Sequence, residues 1–187
     1  MTVATADKPA WRALARSIEP TSEAESDLVV GNVREVLRRQ DWTVVLTFLG
    51  MPGEVDLSPL RDDPGLVLAV TRTPAQGPLT VHPLREPLER HRLGYLQPLP
   101  DAPRFTTTAI DVVLVPGLLF ARNGGRIGHG RGYYDVLLRS FRPRPYLIGV
   151  TVDRRVVDRL PMTDTDVWMD GLVTESGFRE AMACASS

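Results

Sequence analysis

The sequence predicts an α/β fold, built as a mainly parallel sheet flanked by helices in a single three-layer domain over residues 1–187. Three observations predict it. Short runs rich in apolar and β-branched residues recur along the chain, and several are continuously apolar, as strands covered on both faces must be. Stretches with helical spacing precede and separate those runs. One of the strands leads into a glycine-rich segment, and open α/β sheets place their ligand loops at that end of a strand.

Two helical patterns open the chain. Residues 8–18 form the first, and Pro9 is tolerated because it falls in the opening turn. The second starts at Ser22, with Glu25 three residues on as in a capping box, and runs to about Arg39. Its apolar residues Leu28, Val29, Val33, Val36 and Leu37 recur at helical spacing. Strands are expected at 43–49, 66–70, 79–82, 112–115, 147–152 and 172–173, with helices between them at 57–61, 133–141 and 155–160. The proline-rich stretch 98–103 reads as a surface loop, and 175–187 as a loosely ordered tail. Alternation of strand and helix in this order gives a Rossmann-like arrangement.

The bulk composition narrows the function classes. At 187 residues, with 43% hydrophobic and 24% charged, the chain is long enough to bury one continuous core. A net charge of −1 offers no bulk attraction to nucleic acid or acidic lipid. The only cysteine, Cys184, excludes a disulfide framework or a cysteine metal cluster. Residues 1–11 lack the apolar core of a signal peptide. The longest apolar stretch, 112–120, is broken by Pro116 and Gly117 and is too short to span a bilayer. The expectation is a cytoplasmic, monomeric enzyme with neither a nucleic-acid nor a membrane partner. Of the 22 basic residues all but Lys8 are arginine. A bias that replaces lysine wherever only charge matters leaves Lys8 where a compact ammonium is needed, unless it survives by chance at an exposed terminus.

Chemistry concentrates between Asp111 and Asp135. A buried strand ends at Pro116, and a loop then carries Gly124, Gly125, Gly128, Gly130 and Gly132, interleaved with Arg126 and Arg131. Glycines let backbone amides approach an anion closely, the arginines add charge, and a helix starting near Gly132 points its positive end at the same place. Together these describe a phosphate-handling centre. The competing reading is a hairpin whose glycines serve only turns. No Gly-Lys-Ser/Thr follows, so this is not a Walker loop, and the spacing is not that of a dinucleotide fingerprint.

The stretch Val115-Pro-Gly-Leu-Leu-Phe120, continued by Arg126-Ile-Gly-His-Gly-Arg-Gly-Tyr-Tyr-Asp135, resembles the signature of 5-formyltetrahydrofolate cyclo-ligases. Three lesser matches keep the same order: Lys8-Pro-Ala-Trp-Arg12, Leu49-Gly-Met-Pro-Gly-Glu54, and the segment from Leu160 through Asp166 to Asp170. The resemblance implies ATP- and Mg²⁺-dependent cyclisation of 5-formyltetrahydrofolate to 5,10-methenyltetrahydrofolate through a phosphorylated formyl group. It implies that Lys8 and Arg12 meet the nucleotide phosphates, together with Arg126, Ile127, Gly128, His129, Gly130, Arg131, Gly132, Tyr133 and Tyr134. By the same resemblance Leu49, Glu54, His129, Gly130, Arg131, Gly132 and Tyr133 contact the folate, and Asp135 and Asp166 hold the magnesium. Catalytic roles fall to Lys8, Arg126, Arg131 and Tyr133.

Plainer roles exist for several of these residues. Asp135 suits a helix dipole, Asp166 a solvated surface, Tyr133 or Tyr134 the core, and Glu54 the cap of a helix near Asp56. The family pattern is broken at Ala121, Thr165, Gln97, Thr71 and His129. Those at Ala121, Thr165 and Gln97 support an alternative reading, a folate- or nucleotide-binding paralogue with reduced or no catalysis. A third reading is an enzyme of the same fold acting on another phosphorylated substrate.

Overall fold

A computed structural model describes residues 7–85 and 87–182; Cys184 and the rest of 183–187 lie outside the described residues. The chain opens with helices α1 (Lys8–Ser17) and α2 (Glu23–Arg39). The capping box at α2 is complete: the Ser22 hydroxyl accepts from the Glu25 N–H, and the Glu25 carboxylate accepts from the Ser22 N–H at 2.8 Å. Strands β1 (Val44–Thr47), β2 (Val67–Arg72), β3 (Thr80–Pro83), β4 (Leu88–Arg90), β5 (Leu96–Pro98) and β6 (Val112–Val115) follow. Then come β7 (Leu119–Ala121), β8 (Arg126–Ile127), α3 (Tyr133–Ser140), β9 (Tyr146–Val150), β10 (Val156–Val157), β11 (Gly171–Thr174) and β12 (Gly177–Glu180).

Seven strands form the main sheet in the order β12-β11-β9-β6-β1-β2-β3. The five inner strands are parallel, while the edge strands β3 and β12 run antiparallel to their neighbours. The alternation within β6 shows why its run is apolar throughout. Val112 and Leu114 join a cluster with Val29, Val33 and Leu37 of α2, whereas Val113 and Val115 join Leu137 and Leu138 of α3 on the other face. Both faces are covered, so the three-layer α/β architecture stands.

A third cluster determines where the N-terminus lies. Trp11 and Ala15 of α1 pack on Leu119, Ala121 and Ile127 of the β7–β8 hairpin, with Leu160 closing the group. This hairpin is extended by β10, which runs parallel to β7. Residues 155–160 therefore do not form the expected helix: a short 3-10 turn (Asp153–Arg155) leads into β10, because β-branched Val156 and Val157 find a partner strand in Phe120 and Ala121. Residues 57–61 form a single 3-10 turn (Ser58–Asp62), not an α-helix. The expected loose tail from 175 is also corrected in part. Residues 177–180 form β12, in full register with β11, and the Arg179 guanidinium donates to Asp153 at 2.8 Å. The proline-rich stretch begins inside β5 and becomes a turn only afterwards. No helix among the described residues is long and apolar enough to cross a membrane.

Glu25 carries a charge that the fold uses twice. Its largest influence is the hydrogen bond from Arg154; with the Ser22 cap this holds the carboxyl at about 2, well below the ordinary carboxylate range. A folded-state value below the unfolded one gives stability that is fully present above the ordinary value near 4.5 and is lost as pH falls toward about 2. Glu25→Gln is therefore expected to lower the urea midpoint at pH 7, with the gap to the parent closing as pH drops from about 4.5 to about 2. A gap that does not change with pH would contradict this.

Candidate active site

The parallel strands leave a crevice at their carboxyl ends. From β1 the chain turns toward the α2 face, where Val55, Leu57 and Leu60 are buried, and from β6 it turns toward the α3 face. Between β1 and β6 the connections diverge, which is where open α/β sheets bind ligands. A cleft of about 960 Å³ lies there, lined by Leu49 after β1, Thr71 and Arg72 of β2, and Pro116 after β6. Its walls also hold Lys8, Arg12, Glu54, every residue from Arg126 to Asp135, and Asp166. The residues that the resemblance assigns to nucleotide, folate and metal thus line one space.

On one wall, α1 supplies two cations. The Lys8 ammonium pairs with the Asp166 carboxylate, joining residues 158 apart in sequence. Asp166 also accepts from the Thr163 N–H at 2.6 Å and its hydroxyl at 2.9 Å. Burial opposes ionisation of Asp166, but the Lys8 and Thr163 hydrogen bonds outweigh it and hold the carboxyl below its ordinary value. With a side chain only 12% exposed, Asp166 is not a solvated surface acid. Arg12 donates through Nε to the Gly128 carbonyl at 3.0 Å, so the α1 docking reaches directly into the glycine run.

The run itself divides in two. Residues 124 and 125 close the β7–β8 hairpin, and there the turn reading is correct: the Gly124 N–H donates to the Ala121 carbonyl at 2.8 Å, and a Cβ on Gly124 would come within 2.3 Å of the Met169 carbonyl oxygen. Residues 126–127 are strand and buried, not loop. Only 128–132 form an open segment over the cleft. Gly130 has φ +97°, and a Cβ there would sit 3.1 Å from the Arg12 guanidinium carbon. Gly132 is the N-cap of α3 and brings no side-chain cap, so the first-turn N–H groups have no capping side chain. The arginines also differ. Arg126 is 7% exposed, donates to Asp135 at 2.9 Å and to the Pro116 carbonyl at 3.3 Å, and lies over the Tyr134 ring at 5.8 Å. Arg131 is exposed. Asp135 also accepts from the Val167 N–H at 3.3 Å, which brings the chain beside Asp166 to the start of α3.

The facing wall is built by the segment after β1 and by the β4–β5 hairpin. Glu54 accepts from the Met51 N–H at 2.9 Å and meets the His129 imidazole Nε2 at 3.2 Å. It caps its own turn and not the 3-10 turn near Asp56, whose Leu57 N-cap has no side-chain bond. Burial raises the Tyr134 hydroxyl to about 12, and Tyr133 and Tyr134 both pack partly into the α3-side core. Sequence reasoning missed the β4–β5 hairpin altogether, although its Arg90, His91, Arg92 and Tyr95 line the cleft. Its strands are three residues each, too short for an alternation signal; the turn at Gly94 was the one available clue.

An α/β protein with its cleft at the switch point, walled by basic side chains and a helix N-terminus, belongs to the ligand-binding class of open-sheet folds. More narrowly, the chain belongs to the 5-formyltetrahydrofolate cyclo-ligase family, which its residues 11–175 match. The 5-formyltetrahydrofolate cyclo-ligase of Escherichia coli K12 is 30% identical over 144 residues, covering 71% of this chain and 78% of that protein. The mitochondrial enzyme of that name from Arabidopsis thaliana is 36% identical over 78 residues, and the match spans only 28% of its length. Among solved structures, Aquifex aeolicus 5,10-methenyltetrahydrofolate synthetase superposes with a TM-score of 0.78 at 27% identity, covering 96% of this chain and 95% of the other.

Gly130→Ala is expected to cost about 1–3 kcal/mol in urea unfolding, because it adds backbone strain and crowds Arg12. A variant indistinguishable from the parent would show that the close approach of Arg12 does not constrain the run.

Proposed function

We propose that this protein uses ATP and Mg²⁺ to cyclise 5-formyltetrahydrofolate to 5,10-methenyltetrahydrofolate. The observation that carries the reading is convergence on one cleft. Basic and amide donors suited to phosphate lie on one wall, and the Leu49–Glu54 segment with His129 lies on another. In the proposed chemistry the formyl oxygen attacks the γ-phosphorus and ADP leaves. Nitrogen 10 then adds to the activated carbon and gives up its proton, and the C–O bond breaks to release phosphate carrying the former formyl oxygen. Such phosphoryl transfer rests on positioning and charge neutralisation.

Lys8, Arg12 and Arg131 bring positive charge to the phosphates, and the N–H groups of 128–134 approach them where glycine leaves the backbone bare. Tyr133 and the turn 129–132 stand between nucleotide and folate. Glu54, already oriented by the Met51 N–H, offers a fork of two oxygens to a pterin's amino and ring nitrogens. Asp135 and Asp166 fit a hydrated magnesium ion: both line the cleft, and the Asp135–Val167 hydrogen bond ties their chain segments together. The ion when bound supplies neutralisation of phosphate charge. Lys8 releases Asp166 as it turns to the phosphates. Arg126, held inward by Asp135 and Pro116, acts by shaping the turn and not as a free guanidinium.

Two of the departures from the family pattern, Ala121 and Gln97, do not favour the binding-only paralogue. Ala121 is fully buried in the α1–hairpin cluster, and Gln97 is engaged by the Thr73 N–H at 3.1 Å and by Glu89 at 2.8 Å. Neither vacates a position on the phosphate side. The direct test is to mix protein, ATP, Mg²⁺ and 5-formyltetrahydrofolate and follow methenyl absorbance. Turnover is expected; tight folate binding without turnover would favour the paralogue, and neither would favour a different substrate.

Three substitutions refine the roles. Lys8→Arg is expected to raise KM for ATP about tenfold, because a planar fork cannot replace a compact ammonium beside Asp166. Its melting temperature should barely change, and wild-type kinetics would contradict the role. Asp135→Asn should abolish turnover and also cost about 1–3 kcal/mol in stability, since it leaves buried Arg126 without its counter-charge. Asp166→Asn should weaken the magnesium dependence more mildly.

A further inference from the structure

The 3-10 turn after β9 carries a guanidinium that the proposed reaction does not use. Arg155 is partly buried, and among the described residues it hydrogen-bonds to no carboxylate. Its neighbour Arg154 has Glu25 as a counter-charge, whereas Arg155 is bonded only to backbone carbonyls. Nη1 donates to Ala15 and Leu118, both at 3.2 Å, and Nη2 to Ile18 and Glu19, both at 3.4 Å. Burial and the charge of Arg154 push the group below its ordinary value, against the pull of Glu54. A desolvated cation that neutralises no acid is explained by what it holds together.

Its carbonyl partners belong to two elements that meet at the cleft. Ala15 and Ile18 lie at the carboxyl end of α1, where the backbone turns extended at Ile18 and no glycine follows to cap the helix. A guanidinium there takes up terminal carbonyls and complements the negative end of the helix. Leu118 opens the β7–β8 hairpin, with its N–H on the Ile127 carbonyl at 2.8 Å, and that hairpin runs into the open segment 128–132. Toward the amino end of α1, Arg12 reaches the Gly128 carbonyl. The helix is thus pinned twice to the same hairpin, alongside the apolar seat of Trp11 and Ala15. Apolar contact is non-directional and lets a helix slide; hydrogen bonds from a rigid fork fix its register. Lys8 lies two turns before Ala15, about 10 Å along the axis, so a shift at the carboxyl end is carried to the ammonium.

We propose that Arg155 is a positioning residue for the phosphate wall: it locks α1 against the β7–β8 hairpin, so that Lys8 and Arg12 stand in register with the glycine run. This rests on the nucleotide side of the reading above. Arg155 also lines a hollow beside Phe48 and Glu54, near the wall proposed for folate. Among the described residues its hydrogen bonds go to α1, the residue after it and the hairpin, and none goes to residues 48–54. Its removal therefore falls on the nucleotide and not on the folate.

The test measures ATP binding by calorimetry with Mg²⁺ and without folate, and turnover kinetics, for the parent, Arg155→Gln and Arg155→Lys. Arg155→Gln is expected to weaken ATP binding and raise KM for ATP about tenfold, leaving kcat and KM for 5-formyltetrahydrofolate unchanged. Arg155→Lys keeps the charge but spans fewer carbonyls, and should fall between the two. Should Arg155→Gln fail to fold, the lysine variant decides by the same comparison. Combined with Lys8→Arg, the two effects should fall short of their product of about a hundredfold, because both act through one ammonium. Amide hydrogen exchange over residues 8–17 should quicken while that of α2 stays as in the parent. A lower melting temperature with unchanged ATP binding would make Arg155 a purely structural group and overturn the proposal. So would a rise confined to KM for the folate, or full multiplication in the double variant. If the parent binds ATP but turns over no folate, the cyclisation falls and the calorimetric comparison alone decides the role of Arg155. A parent that binds no ATP overturns both readings.

Discussion

The divergence of connections between β1 and β6 is the constraint on which the rest of the molecule depends. A parallel sheet buried on both faces sends each crossover over one side or the other. Here the chain leaves β1 toward α2 and leaves β6 toward the β7–β8 hairpin and α3. The two departures open a crevice at the carboxyl ends of the central strands. The hairpin beyond β6 then supplies an apolar seat for α1, with Trp11 and Ala15 on Leu119 and Ile127. Docking of that helix by hydrophobic contact places Lys8 and Arg12 at the cleft, beside Asp166 and Gly128, which lie far along the sequence.

Charge inside the cleft is organised before any ligand arrives. Lys8 is paired with Asp166 and Arg126 with Asp135, and both pairs are largely shielded from solvent. Desolvation makes such pairs poor sources of net stability, so their positions are better explained by what they hold in place. Asp135 fixes a buried guanidinium beneath the start of α3, and Asp166 holds a lone ammonium against the helix that carries it. On the proposed reading, an arriving triphosphate with its counter-ion would exchange these partners and would not have to order the side chains from a disordered start. Glu54 and His129 form a third preset pair on the other wall.

Much of this was legible in the sequence, for identifiable reasons. The continuously apolar run of β6 and the capping box at Ser22 are local signals that tertiary structure had no cause to override, and both elements formed where expected. The glycine run named the correct side of the sheet, but its own division was hidden. Whether Gly124 serves a turn or a ligand depends on Met169, which approaches it from 45 residues away by direct count. The expected helix at 155–160 failed for a similar reason, since Val156 and Val157 are strand residues only because Phe120 and Ala121 lie beside them. Strands of two or three residues carry too little pattern to be read at all. The inward turn of Arg126 was equally invisible, because sequence gives an arginine's charge but not its counter-ion.

The central claim is that the cleft transfers a phosphoryl group to the formyl oxygen before the ring closes. Its most direct measurement uses 5-formyltetrahydrofolate labelled with oxygen-18 in the formyl group, turned over with unlabelled ATP, followed by mass spectrometry of the released phosphate. The account predicts one heavy oxygen in each phosphate, because the former formyl oxygen departs attached to phosphorus. Phosphate free of the label, with the heavy oxygen lost to water, would contradict it.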